Sequence, residues 1–285
     1  MFATIRNEFD RLDEFLEHYR TLGVRHFLVV DNGSDDGSTE LLQAQPDVSL
    51  WVTHASYRQS RFGVDWLTWL QIKFGHNHWC LTVDADEFLE FSGRPSKDLN
   101  ALIAHLDQKG QQVFGTLLLD LYPEGPIGQV DLNLSAWFDA GPYRIQRQRP
   151  LLNLWVQGGA RERVFFQNSP SQSPTLNKIP LVKWNRRLAY VNSTHSILPP
   201  RLNLGYDGPG DERPCGVLLH KKFDRLIVSK SETERLRGEH FGDPSRFVDY
   251  YSQIQMAPNM WCETSVRYDG PEQLEELGLM SRINW

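Results

Sequence analysis

Over its first ninety residues the chain alternates between two hydrophobic periods, and this restricts the fold more than any other feature. "FATI" (2–5) is a short apolar strand. Phe9, Leu12, Phe15, Leu16 and Tyr19 then recur at three-to-four spacing, one face of a helix. Gly23 follows where a left-handed helix cap belongs. "VRHFLVV" (24–30) reads as a strand, "DNGSDDGS" as a loop and "TELLQAQ" as a short helix. "VSLWVTH" is a third strand, residues 62–74 a helix rich in Trp and Leu, and "HWCLTV" a fourth strand. The alternation predicts an α/β fold whose mostly parallel sheet is flanked by helices. Ligands of such sheets bind beyond the carboxyl ends of the strands. Three polar clusters fall at those ends, Arg6-Asn7-Glu8, Asp31 to Asp36 and Asp84 to Glu87, and they are expected to meet at one edge.

After residue 110 the pattern loosens. "VFGTLLLDLY" (113–122) is a strand, and residues 123–150 read as a long loop. "LNLWVQGGARERVFF" holds a strand and a Gly-Gly turn. "IPLVKW" and "LAYVNSTH" are expected to pair as a hairpin. Residues 199–214 carry many breakers and read as a loop. "GVLLHKKF" is taken as the last strand, followed by a helical stretch over 224–240 and a short helix after 271. The division falls at residue 110: a ligand-binding half, 1–110, and a second half, 111–285, within one continuous domain.

Bulk properties exclude some classes. A net charge of −6 and a pI near 5.9 leave no electrostatic footprint for nucleic acid. Cys80, Cys215 and Cys262 are neither a disulfide framework nor a zinc clamp, which suits a reducing, cytoplasmic compartment. No apolar run approaches the ~20 residues of a transmembrane helix. No secretory leader is visible, so any membrane association is expected to be peripheral.

The acids of "LTVDADEFLE" (81–90) interrupt an apolar run, and a buried carboxylate needs a positive partner. In extended geometry Asp84 and Asp86, at i and i+2, share a face and suit a hard divalent cation such as Mg²⁺ or Mn²⁺. The alternative is a solvated turn. The "VVDNGSDDGSTELL" loop has glycines for tight turns but lacks the spacing of a P-loop or dinucleotide fingerprint. It is not a calcium loop either, since Leu42 stands where the twelfth-position Glu belongs.

Taken in order, "TIRNEFDRLDEFLEHYRTLGVRHFLVVDNGSDDGSTELL" and "VDADEFL" resemble the family 2 type glycosyltransferases of the GT-A fold, with the similarity closest over residues 2–90. The resemblance implies a nucleotide-sugar donor, UDP-type, in the N-terminal half and Mn²⁺ or Mg²⁺ as cofactor. It implies that Asp84 and Asp86 hold metal and diphosphate, and that Thr4, Arg6 and Asp31 surround the nucleoside. Glu8 binds the ribose or holds Arg6 under this reading; Arg58 and Arg61 lie where relatives place a basic stretch near the base. Asn32 stands where many relatives have Asp.

Relatives often complete the metal shell with a late His. His220 in "GVLLHKKF" and His195 in "VNSTHSI" are the candidates, and Lys222 is placed to reach phosphate. The family usually inverts the anomeric carbon, which needs a carboxylate base for the acceptor hydroxyl. Glu162, beside the Gly-Gly pair, is the candidate, with Asp120 and Asp211 as alternatives. Trp137, Trp155 and Trp184 face the saccharide or lipid-linked acceptor or simply fill the core. Two other functions compete: a non-catalytic sugar-nucleotide or glycan-binding relative, and a metal-dependent phosphohydrolase. "DADEF" resembles the Asp-x-Asp start of haloacid-dehalogenase-like phosphatases, but Phe88 stands where those enzymes carry Thr or Val.

Overall fold

The structure, a computed structural model, describes residues 1–130, 132, 136–237 and 248–285. The predicted alternation is present. β1 (Phe2–Ile5), α1 (Phe9–Thr21), β2 (Phe27–Asp31), α2 (Ser38–Gln43), β3 (Val48–Val52), α3 (Val64–Phe74) and β4 (Trp79–Leu81) follow in order. β1, β2 and β3 form a parallel sheet in that order. A parallel bridge between Phe2 and Thr82 joins its inner edge to the residue after β4.

Beyond β4 the sheet is mixed, unlike the mostly parallel one expected. β5 (Glu87–Glu90), α4 (Leu99–Gln108) and β6 (Val113–Asp120) come next. Two short strands, β7 (Trp137–Phe138) and β8 (Tyr143–Arg147), interrupt the stretch read as a loop; β9 (Leu154–Gly158) and α5 (Gly159–Phe165) follow. The chain continues through β10 (Asn177–Lys183), β11 (Ala189–Tyr190), β12 (Ile197–Leu198) and β13 (Cys215–His220). Last come α6 (Ile227–Arg237), α7 (Val248–Gln255), β14 (Val266–Arg267) and α8 (Pro271–Glu276). The five-stranded sheet has the order β4-β10-β6-β13-β5, and only β6 and β13 run parallel in it.

β6 sits at the centre of that sheet with all eight residues buried, the near-continuous apolar run of a strand covered on both faces. Gly115 is required here: a Cβ on it would lie 2.2 Å from the Tyr206 ring. α1 turns Leu12, Phe15, Leu16 and Tyr19 into the core, as its spacing predicts. Tyr19 anchors β5 by donating its hydroxyl to the Glu87 carbonyl, at 2.7 Å.

Three expectations about the second half are corrected. "IPLVKW" does not pair with "LAYVNSTH": β10 pairs with β4 and β6, and β11 pairs with β12. A fully buried strand is better satisfied between two neighbours than in an edge hairpin. "GVLLHKKF" is not the last strand, since β14 follows it and pairs with β7, whereas the Gly158-Gly159 turn is present and leads into α5, with φ of 133° and 68° at the junction. The helix predicted over 224–240 begins at Ile227, and residues 238–240 lie outside the described ones. No helix among the described residues is long and apolar enough to cross a membrane.

Candidate functional site

The register of β13 assembles the centre of the site. His220, its last residue, stands opposite Asp120 of β6 on one side and Glu87 of β5 on the other. The Lys221 amide donates to the Asp86 carbonyl at 2.8 Å, which pins the "DADE" turn to the strand end. The extended geometry expected for Asp84 and Asp86 is not observed. They stand in a turn closed by Glu87 N–H donating to the Asp84 carbonyl at 3.1 Å, and the two carboxylates face different partners.

The cations that meet these acids come from the chain itself. Asp86 lies 3.3 Å from His220 Nε2 and 3.7 Å from an Arg11 guanidinium nitrogen. Burial opposes its ionisation, yet the His220 ring and Arg11 hold its carboxyl well below the usual range. Asp84 lies 3.4 Å from Lys178 Nζ, which also meets Glu87 at 2.8 Å. Burial would lower the Lys178 ammonium, but the Glu87 and Asp84 carboxylates raise it. Arg11 further pairs with Asp224 at 2.7 Å and Glu8 at 3.2 Å. Burial is the main influence on Glu8 and raises its carboxyl despite Arg11 and Lys230.

His220 is oriented from behind. Asp120 accepts a hydrogen bond from its Nδ1 at 2.7 Å and another from Arg161. Burial pushes the Asp120 carboxyl up, but Arg161 and His220 overcome that and hold it at about 2. An ionised Asp120 keeps a proton on Nδ1, and against its burial Asp86 and Asp120 together raise the ring; Arg161, 2.9 Å from Nδ1, is a neighbouring donor. His220 Nε2 is left facing Asp86.

The polar clusters of the three strand ends do meet. Arg6 donates to the Asn32 carbonyl at 2.6 Å, and Asn7 and Asp35 exchange two hydrogen bonds of 2.8 and 3.0 Å. These ends, with β10, α6 and α7, enclose a cavity of about 430 Å³. Thr4, Arg6, Glu8, Asp84, Asp86, His195, His220 and Lys222 line it, as predicted. Arg11, Arg161, Lys178 and Lys230 also line it and were not read from the sequence. Six Lys and Arg side chains thus face four carboxylates, those of Glu8, Asp84, Asp86 and Glu87. The Thr4 hydroxyl, Arg6 Nε and Arg161 Nε are buried there without a hydrogen-bond partner among the described residues.

Other predicted residues stand elsewhere. Asp31 is fully buried and does not line the cavity. Its carboxylate is occupied by the Ser34 amide at 2.9 Å, the Ser34 hydroxyl at 2.7 Å and Thr39. It holds the loop rather than facing a ligand. Arg61 is exposed and pairs with Asp65 at 2.6 Å; Arg58 is exposed, and neither lines the cavity, although Tyr57 does. His195 lines it from the Lys178 side, its Nδ1 donating to the Asn177 carbonyl at 2.5 Å. Burial, aided by Lys178, lowers the His195 ring to about 3, so it is neutral.

None of the three candidate bases lines the cavity. Glu162 is clamped by both terminal nitrogens of Arg144, at 2.5 and 2.6 Å. Asp120 is behind His220, and Asp211 lies on a loop where it accepts from the Glu212 amide at 2.6 Å. Trp184 is a core residue, 1% exposed; Trp155 is exposed and Trp137 half-buried, and neither lines the cavity. The three cysteines are free thiols.

The donor set was tested for a divalent cation. No three His, Cys, Asp or Glu side chains among the described residues form a cage. Asp86 and His220 face one another at the cavity wall with the His held by a carboxylate, which is the arrangement found around metal-binding histidines. Hard cations such as Mg²⁺ are commonly held by one or two protein groups together with substrate phosphates. The pair fits that mode of binding and does not fit an all-protein cage. A scan against models of known protein families finds no match to this chain, and a search of curated proteins finds none.

Proposed function

We propose that the chain is a glycosyltransferase of GT-A-like architecture that moves a sugar from a nucleoside-diphosphate sugar, UDP-type, to a saccharide or lipid-linked acceptor. The observation that carries the reading is the cavity at the strand ends, where, among the described residues, six cations exceed four carboxylates and buried polar atoms of Thr4, Arg6 and Arg161 lack partners. Such a site favours a polyanion that also accepts hydrogen bonds, and a nucleoside diphosphate is both. The three parallel strands continued through the Phe2–Thr82 bridge are compatible with this architecture.

Asp86 and His220 are the residues to hold Mn²⁺ or Mg²⁺, which when bound neutralises the leaving diphosphate as its charge develops. Asp120 keeps the proton on His220 Nδ1 and leaves Nε2 directed at Asp86. Arg6, which has no carboxylate partner among the described residues, and Lys222, whose charge also acts on Asp86, are the cations to bind phosphate oxygens and so stabilise the departing group. Thr4 and Asn32 line the nucleoside end. Lys178 holds Asp84 and Glu87 in place.

The test is release of nucleoside diphosphate from a panel of UDP-, GDP- and dTDP-sugars, with and without Mn²⁺ or Mg²⁺. The expected result is metal-dependent release from one donor type, abolished by Asp86→Ala. Phosphate release from simple monoesters would replace this reading with the phosphohydrolase. Donor binding without turnover, acceptors supplied, would replace it with a binding protein.

A further inference from the structure

On the flank away from the cavity, α3 presents a row of exposed apolar side chains beside the outer strand β3. Trp69 is 51% exposed, Phe74 44% and Ile72 38%. The inner face of α3, with Leu67 and Leu70, is packed in the core, so the helix is apolar on both sides. Exposed apolar clusters of this kind mark interaction sites. Lys73 Nζ lies 4.7 Å from the Trp69 ring centre and 5.4 Å from that of Phe74, and Phe74 packs against Trp51 at 5.8 Å. The row is therefore aromatic with a cation in its middle.

Charge indicates what covers it. Residues 66–83 and 163–206 contain no Asp or Glu. At the chain's average of 36 acids in 285 residues, these 62 positions would hold about eight. The two runs are laced together: Trp184 N–H donates to the His78 carbonyl at 2.8 Å and Asn77 N–H to the Trp184 carbonyl at 2.9 Å. This brings exposed Arg186 and Arg187 to the end of α3 beside Lys73 and His78. Asp65, on the first turn of α3, is paired with Arg61 at 2.6 Å, and Asp107 with Lys183 at 2.8 Å. A molecule of net charge −6 thus carries, beyond Asp65, an acid-poor corner that combines tryptophan, phenylalanine and the cations Lys73, Arg186 and Arg187. Aromatic rings that sit at the headgroup level, flanked by Lys and Arg, are what an anionic bilayer surface selects.

We infer that the α3–β3 flank, with the 183–187 loop, is a docking face for an anionic phospholipid surface. The apolar row enters the interface while Lys73, Arg186 and Arg187 meet the headgroups. None of these residues lines the cavity, so docking leaves the cavity open and does not rest on the glycosyltransferase reading.

The experiment is co-sedimentation of the full chain with vesicles of phosphatidylcholine plus phosphatidylserine, and of phosphatidylcholine alone. The chain is expected to pellet with the first and only weakly with the second, and to be released by salt. Each Lys or Arg near such a surface contributes roughly fivefold, so Lys73→Gln/Arg186→Gln/Arg187→Gln should bind on the order of a hundredfold more weakly. Lys73→Gln alone, safe for folding at an exposed site, should bind about fivefold more weakly. Trp69→Ala/Phe74→Ala should lose binding at any salt concentration. No pelleting with serine-containing vesicles at low salt, or pelleting indifferent to all these variants, overturns the inference. So does analytical ultracentrifugation showing a dimer that Trp69→Ala dissolves, since a second copy would then own the face.

Discussion

Lys178 is the sharpest test of how this site is held together. Its side chain is 4% exposed, and its ammonium spans Glu87, 2% exposed, and the more open Asp84. Lys178→Met keeps the length of the stem but removes the charge. Glu87, whose carboxyl burial already pushes up to about 7, then keeps only the Asp84 amide, at 3.2 Å, as a hydrogen-bond donor among the described residues and loses the cation that opposes that burial. Breaking one partner of a buried pair costs about 3–5 kcal/mol. This is a fifth or more of the roughly 5–15 kcal/mol that holds a typical domain folded. With a guanidinium chloride m-value of roughly 5 kcal/mol per molar, the midpoint should fall by about 0.6–1 M. The double variant Lys178→Met/Glu87→Gln removes the stranded charge, and replacing a whole buried pair is often close to neutral. It should recover most of the loss. Equilibrium unfolding followed by tryptophan fluorescence measures both. A single variant within about 1 kcal/mol of the parent, or a double variant no better than the single, would refute the view that charge compensation is what Lys178 supplies.

Other expectations follow from the same contacts. Asp120→Asn removes the negative charge of the acceptor that orients His220 and should weaken Mn²⁺ binding about 10–100-fold by titration calorimetry while leaving the far-ultraviolet dichroism unchanged. Glu162→Gln, remote from the cavity and clamped by Arg144, should retain donor turnover; its complete loss would return Glu162 to the catalytic machinery. Gly115→Ala drives a methyl into the Tyr206 ring and should cost about 1–3 kcal/mol or more, read as a lowered melting temperature. His18 gives a pH signature. Burial lowers its ring from 6.5 to about 4, so between those values the unfolded chain binds the extra proton. Stability is intact above pH 6.5 and declines as pH drops through this window, by up to about 3 kcal/mol at pH 4. His18→Gln should flatten that part of the unfolding profile.

The first half of the fold was legible because its elements are local. α1 and α3 carry their apolar stripes at helical spacing, and β1 to β4 are short apolar runs bounded by loop residues. α4 was missed although its signals are present: Asp98 caps it by accepting from the Ala101 amide at 2.9 Å, and Leu99, Leu102 and Leu106 form its buried stripe. In the second half, pairing decides the outcome, and pairing is not written in any one segment. β10 has the apolar run of a hairpin arm, but its partners β4 and β6 lie about 100 and about 65 residues back along the chain, respectively. The site divides in the same way. His220, Asp86 and Lys222 could be placed because each ends an apolar strand or follows one. Arg11, Lys178 and Arg161 could not: each is an unremarkable cation in its own segment and gains a role only from Asp224, Asp84 or Asp120 far along the chain.

The division at residue 110 has a consequence in the way the sheets are woven. β10 and β13 from the second half each lie against strands of the first, and β13 runs between β6 and β5 with its last residue in the cavity wall. A gene split at that point would yield two polypeptides with bare strand edges, neither carrying a whole binding pocket. Expressed apart they should be insoluble; produced together in one cell they should reconstitute, because each is the missing template for the other.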